Sequence, residues 1–334
     1  MDVRSLVLDN TSAKWFICIS VIDFLYMKFS LRQVQVFVAV ARHGSVSRAA
    51  AVLAMSQSAA STALAELERS YDRQLFDRVG KRLKLNGLGE TLLPPAVNWL
   101  EQAQALEQVL AGDHGFGTLQ IGATLTVGNY LATLIVADFL QQHPASHVRL
   151  HVENTAHIVD AVADFSFDLG LIEGNCQHPD LVVEPWVEDE LAVFCAPHHP
   201  LAGQKNVSMT TLLAQEWIIR ERGSGTREAF EHAFGDQLSQ LKVRLELEHT
   251  EAIKRAVEFG LGIGCISRLA LREAFQRGSL VPVETRALNL RRHFHFIWHR
   301  QKFQTAGMQA FIALCREMTR GLKRSDQIAW PKLP

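Results

Sequence analysis

The sequence predicts an α/β chain with an N-terminal winged helix-turn-helix, a long linker helix and a two-lobed α/β domain. Three observations carry this. Between residues 31 and 70, apolar residues recur at helical spacing in three short runs, broken at Gly44 and at Ala54–Ser56. From Gly89 to Leu110 a single apolar stripe continues with few charges. From residue 118 to 320, strand-like and helix-like segments alternate, the pattern of parallel sheets covered by helices.

In the head, Leu31–Arg42 places Leu31, Val34, Phe37, Val38 and Ala41 on one helical face, and Gly44 ends it. Ser47–Leu53 is Ala-rich, which lets a neighbouring helix approach closely. Ser56 is an N-cap for Gln57–Ser70, whose inward positions are Ala60, Leu64 and Leu67. Its outward positions are Gln57, Ser58, Ser61 and Thr62. Leu75 and Phe76 anchor a two-stranded wing that turns at Gly80. The stripe from 89 to 110 would leave apolar surface wet on a lone helix, so it is expected to pair with a second copy. Pro94 and Pro95 either bend that helix or mark its first turn.

Behind a Gly-rich linker at 112–117, strands are expected at Thr118–Ala123, His147–Glu153, Asp168–Glu173, Glu190–Ala196, Trp217–Arg220, Lys242–Glu248, Gly262–Ser267 and Phe294–His299. Helices are expected at Val127–Gln142, Ile158–Asp164, Met209–Ala214, Thr226–Phe234, Glu251–Phe259, Arg268–Arg277 and Ala306–Arg320. The expected domains are an extension (1–27), a DNA-binding head (28–86), a dimerising linker helix (87–113), an effector domain (114–320) and a tail (321–334). Within the effector domain, lobe 1 takes about 117–189 and 300–320, and lobe 2 about 190–299.

Charge and cysteine usage narrow the function. Residues 28–86 hold ten Lys/Arg against four Asp/Glu, and residues 87–334 hold 22 against 28. A basic head on an acidic body fits docking on polyphosphate at one end. The five cysteines are scattered, with no Cys/His spacing for a metal, and a reduced cytoplasm is the expected compartment. Trp15–Tyr26 is apolar but twelve residues long and holds Asp23, too short to span a bilayer. No basic start and small-residue cleavage site mark it for export. Met27 is the expected start, because the helical pattern begins after it.

On AAAVLAMSQSAASTALAELE and LFDRVGKRL in the head, and DLGLIEG, LAVFCAPHHPLA, WIIRERGSGTRE and GLGIGCISR in the body, the chain resembles the LysR-type transcriptional regulators over roughly residues 29–320. The stretches IEG, RERGSGTR, AIK and HRQK resemble the CysL/YeiE-like branch, associated with sulfur or small-anion sensing. The resemblance implies a periplasmic-binding-protein-like effector domain and a homodimer through the linker helix, assembled into a homotetramer. It also implies activation of target genes, repression of its own, and RNA polymerase as a further partner. Two features depart from the family: Thr62 stands where a basic residue is frequent, and residues 1–26 have no counterpart.

Candidate contacts to double-stranded DNA are Ser47, Ser56, Gln57, Ser58, Ser61 and Thr62, with Arg78, Lys81, Arg82 and Lys84 in the wing. Gln57 has the amide for bidentate pairing with adenine, hydroxyls serve bases or phosphates, and basic wing residues serve the backbone or minor groove. Candidate effector residues lie where strands end and helices begin. They are Thr124, Leu125 and Thr126; Asn154 and Thr155; Glu173 and Gly174; and Arg222, Gly223, Ser224, Gly225 and Thr226. Helix N-termini present orphan N–H groups, which suits a small anion such as a sulfur oxyanion or carboxylate. Thr124, Thr126, Ser224 and Thr226 are expected to hold it, and Arg220, Arg222 or Arg227 to add charge. No cofactor, metal or membrane partner is expected. No Ser/His/Asp order, phosphate-binding loop or carboxylate pair with a nearby base supports an enzyme. A solute-binding receptor without DNA binding is the alternative reading.

Overall fold

The computed structural model describes residues 27–80, 82–111 and 115–328. The expectations for residues 1–26, Lys81 and the centre of the linker at 112–114 lie outside the described residues. The chain divides into two compact units, residues 1–100 and 101–334.

In the first unit, helix α1 (Leu31–His43) opens with a reciprocal cap. Gln33 N–H donates to Ser30 Oγ at 3.3 Å, and Ser30 N–H donates to Gln33 Oε1 at 2.8 Å. It closes at Gly44, whose φ of +61° is the left-handed cap geometry. Val34, Phe37 and Val38 are buried as their spacing predicts, whereas Leu31 is 40% exposed. Val36, Ala39 and Val40 are also buried, so α1 is the central helix of the head and not a one-faced one. Helix α2 (Val46–Val52) packs Ala49 and Ala50 inward. Helix α3 (Gln57–Tyr71) buries Ala60, Leu64 and Leu67, the stripe read from the sequence. Strands β1 (Phe76–Val79) and β2 (Arg82–Leu85) form the wing, with Gly80 at φ +64° in its turn.

Helix α4 (Gly87–Ala111) starts before Gly89, because Asn86 caps it by accepting from Gly89 N–H at 2.9 Å. Pro94 and Pro95 therefore lie inside it and not in its first turn. Leu106 and Leu110 stand 62% and 80% exposed in the chain alone.

The second unit is built on one mixed sheet, where parallel sheets were expected. Its strands are β3 (Thr118–Thr124), β4 (His147–Glu153), β5 (Leu169–Glu173), β6 (Leu181–Cys195), β7 (Glu216–Arg220), β8 (Lys242–Leu247), β9 (Ile263–Ser267), β10 (Val281–Pro282) and β11 (Arg291–His299). The order is β4-β3-β5-β11-β6-β9-β7-β8, with β10 beside β6. Each end of the sheet is parallel: β3 pairs with β4 and β5, and β7 with β8 and β9. The centre is antiparallel, where β11 pairs with β5 and β6, and β6 with β9. Strand β6 begins nine residues before the expected Glu190, because Leu181–Asp189 is needed to pair along β11. It thereby joins both halves of the sheet.

Helices α5 (Thr133–Gln142), α6 (Thr155–Ala163), α7 (Met209–Leu213), α8 (Gly225–Phe234), α9 (Thr250–Glu258), α10 (Arg268–Arg277) and α11 (Ala306–Met318) cover the sheet. The helix expected from Val127 instead enters α5 through a short α turn, Leu125–Val127, and a π turn, Gly128–Ala132. One core lies under α5 and α11, and a second lies under α6 on the opposite face of the same half. In the other half, α8 covers one face and α9 and α10 the other. Phe294, Phe296 and Trp298 lie in the core under α5 and α11, so the segment assigned to lobe 2 belongs with the first half.

Residues 321–328, expected to be a tail, instead pack down as a strap. Ser325 and Ile328 are 0% and 1% exposed. Arg272 Nη1 donates to Ile328 O at 2.6 Å, and Arg324 Nη1 pairs with Glu190 Oε2 at 2.6 Å.

Candidate functional site

The head sets out a polar face. Ser56 caps α3 by accepting from Ala59 N–H at 3.1 Å, and its hydroxyl lies 3.0 Å from that of Ser58. Gln57, Ser58, Ser61 and Thr62 are all exposed, as are Ser47 and Arg48 on α2. Both carboxylates of α3 turn toward the protein. Glu66 Oε2 accepts from Gln33 Nε2 at 3.3 Å, and Glu68 Oε1 accepts from Leu75 N–H at 2.8 Å. The outward face keeps its hydroxyls and amide free of nearby negative charge. Arg78, Arg82 and Lys84 are exposed in the wing, but cross-strand register separates them. Arg82 and Lys84 share a face with Val79 and Asp77, whereas Arg78 shares the other with Leu83. Lys81 lies outside the described residues. Arg48, which the sequence reading did not single out, is exposed beside Ser47 near the start of α2.

In the second unit the parallel strands of both halves direct their C-terminal ends at the middle of the sheet, where open sheets of this kind bind ligands. Thr124–Thr126, Asn154–Thr155 and Glu173–Gly174 lie at the C-terminal ends of β3, β4 and β5, and Arg222–Thr226 follow β7. Each face of the sheet carries its own seam there. On the face of α6 and α8 the halves touch directly. Gly225 N–H donates to Thr155 Oγ1 at 3.0 Å, and Ala156 N–H donates to Gly223 O at 3.2 Å. A Cβ on Gly225 would fall 1.8 Å from Glu173 O, so only glycine permits this approach. On the face of α5 and α9, Tyr130 packs against the cores of both halves, and its hydroxyl bonds to Glu251. Lys254 Nζ reaches Glu251 at 2.6 Å, Ala270 O at 3.2 Å and the Tyr130 hydroxyl at 3.4 Å.

A buried charge cluster lies between the seams. Arg292 donates to Glu173 Oε2 at 2.6 Å, Asp189 Oδ2 at 2.8 Å and Thr226 Oγ1 at 3.0 Å. Asp189 Oδ1 accepts from Ser267 at 2.7 Å and from Ser325 of the strap at 2.6 Å. Burial alone would lower the Arg292 pKa, but Glu173 and Asp189 outweigh it and raise it above the usual guanidinium value. Arg292 and Asp189 were missed from sequence. Arg292 keeps step with Phe294, Phe296 and Trp298, and that period of two marked it as inward-facing.

The expected effector residues are thus divided. Thr124, Leu125 and Thr126 are buried under the α5 side. Asn154 caps α6, accepting from His157 N–H at 3.1 Å. Glu173 and Thr226 are bound by Arg292. Gly174, at φ +89°, would bring a Cβ within 3.2 Å of Gly225 Cα. Thr155, Arg222, Gly223 and Ser224 line an open groove of about 680 Å³ on the α6–α8 face. Asp160, Glu228 and Glu231 also line that groove. Burial, with Glu231 adding and His232 opposing, pushes the Glu228 carboxyl up. Burial and then Glu228 push the Cys176 thiol up, the opposite of an activated thiolate. Of the three candidate arginines, Arg220 is the inward one at 2% exposure. Arg222 is exposed, and Arg227 is held by Glu231 at 2.5 Å, Arg220 O at 2.8 Å and Glu246 at 3.1 Å. Among the described residues no cluster of His, Cys, Asp and Glu could hold a metal ion, and no helix is long and apolar enough to cross a membrane.

Residues 31–90 match the bacterial regulatory helix-turn-helix protein, LysR family, and residues 112–320 match the LysR substrate binding domain. The helix-turn-helix-type transcriptional regulator YeiE of Escherichia coli K12 is 42% identical, covering 86% of this chain and 98% of its own. The regulatory domain of Synechocystis PCC6803 CcmR, solved in complex with 2-PG, is 29% identical with a TM-score of 0.58 over 62% of this chain and 99% of that one. A full-length OxyR variant of Pseudomonas aeruginosa shares the fold, with 19% identity and a TM-score of 0.68 over 87% of this chain and 96% of that one. A cap-and-stripe head with a polar outward helix, a strand-end seam in the second unit, and matches that span both units make this chain a member of the LysR family of DNA-binding transcriptional regulators.

Proposed function

We propose that this LysR-type regulator answers to a small anion, a sulfur oxyanion or carboxylate, bound where the two halves of the effector domain meet. The carrying observation is the convergence of strand ends and helix starts from both halves on one region, among buried hydroxyls and guanidinium groups. The CcmR regulatory domain in complex with 2-PG supports a small-molecule effector in this fold. The proposed contacts are those of the α5 side, Thr124, Leu125 and Thr126; Asn154, Thr155, Gly174 and Arg222–Gly225 close the seam on the opposite face, and Glu173 and Thr226 join the two through Arg292. The anion binds one arrangement of the halves more tightly and shifts the population toward it. That shift alters how subunits pair and so how the heads sit on DNA.

On the nucleic acid, Gln57 with Ser58 and Ser61 reads base edges, and Ser47, Ser56, Thr62, Arg78, Lys81, Arg82 and Lys84 hold phosphate and groove walls. The exposed apolar residues Leu106 and Leu110 on α4 pair with a second copy, and dimers assemble as a tetramer in the cytoplasm. The domains divide at 28–86, 87–113 and 114–320, and RNA polymerase is the downstream partner. The test is footprinting of the upstream DNA of its own gene with and without sulfite, sulfate and small carboxylates. A footprint whose length or bend changes with one anion supports the reading. Identical footprints and bend angles under all of them count against it.

A further inference from the structure

The face covered by α5 and α9 carries two buried polar atoms that no described residue satisfies: Arg220 Nη1 and Thr250 Oγ1. Their residues are 2% exposed each. Both come from the second half of the sheet, and register and helical spacing bring them to one place. Arg220 ends β7 and keeps step with Ile218, which packs under α9 with Ile253 and Val257. Its cross-strand partner is Leu247, which packs against that same core. Thr250 opens α9 and lies on the stripe that continues through Ile253, Lys254 and Val257. Arg220 and Thr250 therefore both lie on the α9 side at the C-terminal edge of β7 and β8.

Two further facts give that corner its free donors. Arg220 spends Nε and Nη2 on Glu221, at 2.7 and 2.8 Å, which leaves Nη1 with its donors unspent. No side chain caps α9, since His249 makes no capping bond, whereas Ser56, Asn154 and Thr305 cap α3, α6 and α11. The first N–H groups of α9 point to the same region, with partial positive charge. The charged groups that face it are Arg220 and Lys254, against Glu221 and Glu251. Leaving donors unpaired in the interior is unfavourable unless something else accepts from them.

We propose that Arg220, Thr250 and the first turn of α9 form the recognition corner for the anion, selecting a compact oxyanion with three or more acceptor oxygens. This rests on the reading of the effector domain given above and names the residues that choose within it. Nη1, the Thr250 hydroxyl and the α9 backbone each donate to a different oxygen. A monocarboxylate, with two oxygens on one carbon, leaves one donor unmet. The corner is closed to solvent in this arrangement, so the anion enters when the Tyr130 contact with Glu251 and Lys254 parts.

The test is isothermal titration calorimetry of the full chain and of the variants T250V and R220K with sodium sulfite, sulfate, phosphate and acetate, together with melting of each anion-free protein. The expected result is that wild type prefers one oxyanion to acetate and that each variant binds it roughly tenfold or more weakly. T250V should melt, without anion, at or above the wild-type temperature, because it removes an unsatisfied buried hydroxyl. A residue with a purely structural role would lower melting and spare affinity. Wild-type affinity in T250V overturns the corner and leaves the broader reading standing, and T250V decides the matter if R220K does not fold. Absence of binding by wild type to all four anions overturns both.

Discussion

The roles proposed for Gln57 and Arg82 at the DNA differ, and substitution separates them. Gln57→Ala should cost about 1–3 kcal/mol on the specific operator alone. Arg82→Ala should weaken binding to every sequence and flatten its salt dependence, measured by titration at several salt concentrations. Inside the effector domain, Arg292→Met would leave Glu173 and Asp189 buried without their cation. The expected loss is about 3–5 kcal/mol in a urea unfolding experiment. Three histidines contribute to the acid limb of stability. Burial, followed by His293, lowers the His295 pKa; burial and His198 lower that of His199; burial lowers that of His299 against the pull of Asp180. The unfolded chain then binds more protons at these sites, so their contribution is full above about pH 6.5 and is lost as pH falls below it. His295→Gln should flatten that fall in a melting series between about pH 5 and 8. The sequence marked the hydroxyls and glycines at strand ends, because turns need those residue types. It could not mark which arginine turns inward, since Arg220, Arg222 and Arg227 all flank one turn and differ only in their partners.

At the scale of elements, local chemistry was legible where it acts within a few residues. Ser56 as the cap of α3, Gly44 as the stop of α1 and the stripe Ala60–Leu64–Leu67 all follow from short-range geometry. Ser56→Ala should therefore cost about 1 kcal/mol of stability in the head, read by thermal melting. What the sequence hid was long-range pairing. Leu181–Asp189 did not read as a strand, because Pro185 and its acidic and bulky neighbours break the alternation; pairing with β11 enforces it. The π turn at Gly128–Ala132 was equally hidden, because it swings Tyr130 onto the second half of the sheet, a contact 121 residues distant in sequence from Glu251. Antiparallel strands β6 and β11 also defeat the rule that alternating strands and helices give an all-parallel sheet. They cross the middle twice and place Arg292 and Asp189 between the halves.

For the whole molecule, the docking end was readable from charge: a basic head on an acidic body suits polyphosphate at one end. Fixing the halves to one another needed the structure. Gly225→Ala should strain the seam, since its Cβ would lie 1.8 Å from Glu173 O. A loss of about 1–3 kcal/mol is expected, together with a changed response to effector, measured by melting with and without the anion.

The packed strap gives the chain a genetic signature. Ser325 reaches the acid that holds Arg292, and Ile328 seals the core beside α11. A stop codon between 321 and 328 would spare every predicted operator and inducer contact, yet should behave as a null allele. A reporter strain carrying such a stop should therefore match the full deletion of the gene, whether the regulator activates or represses.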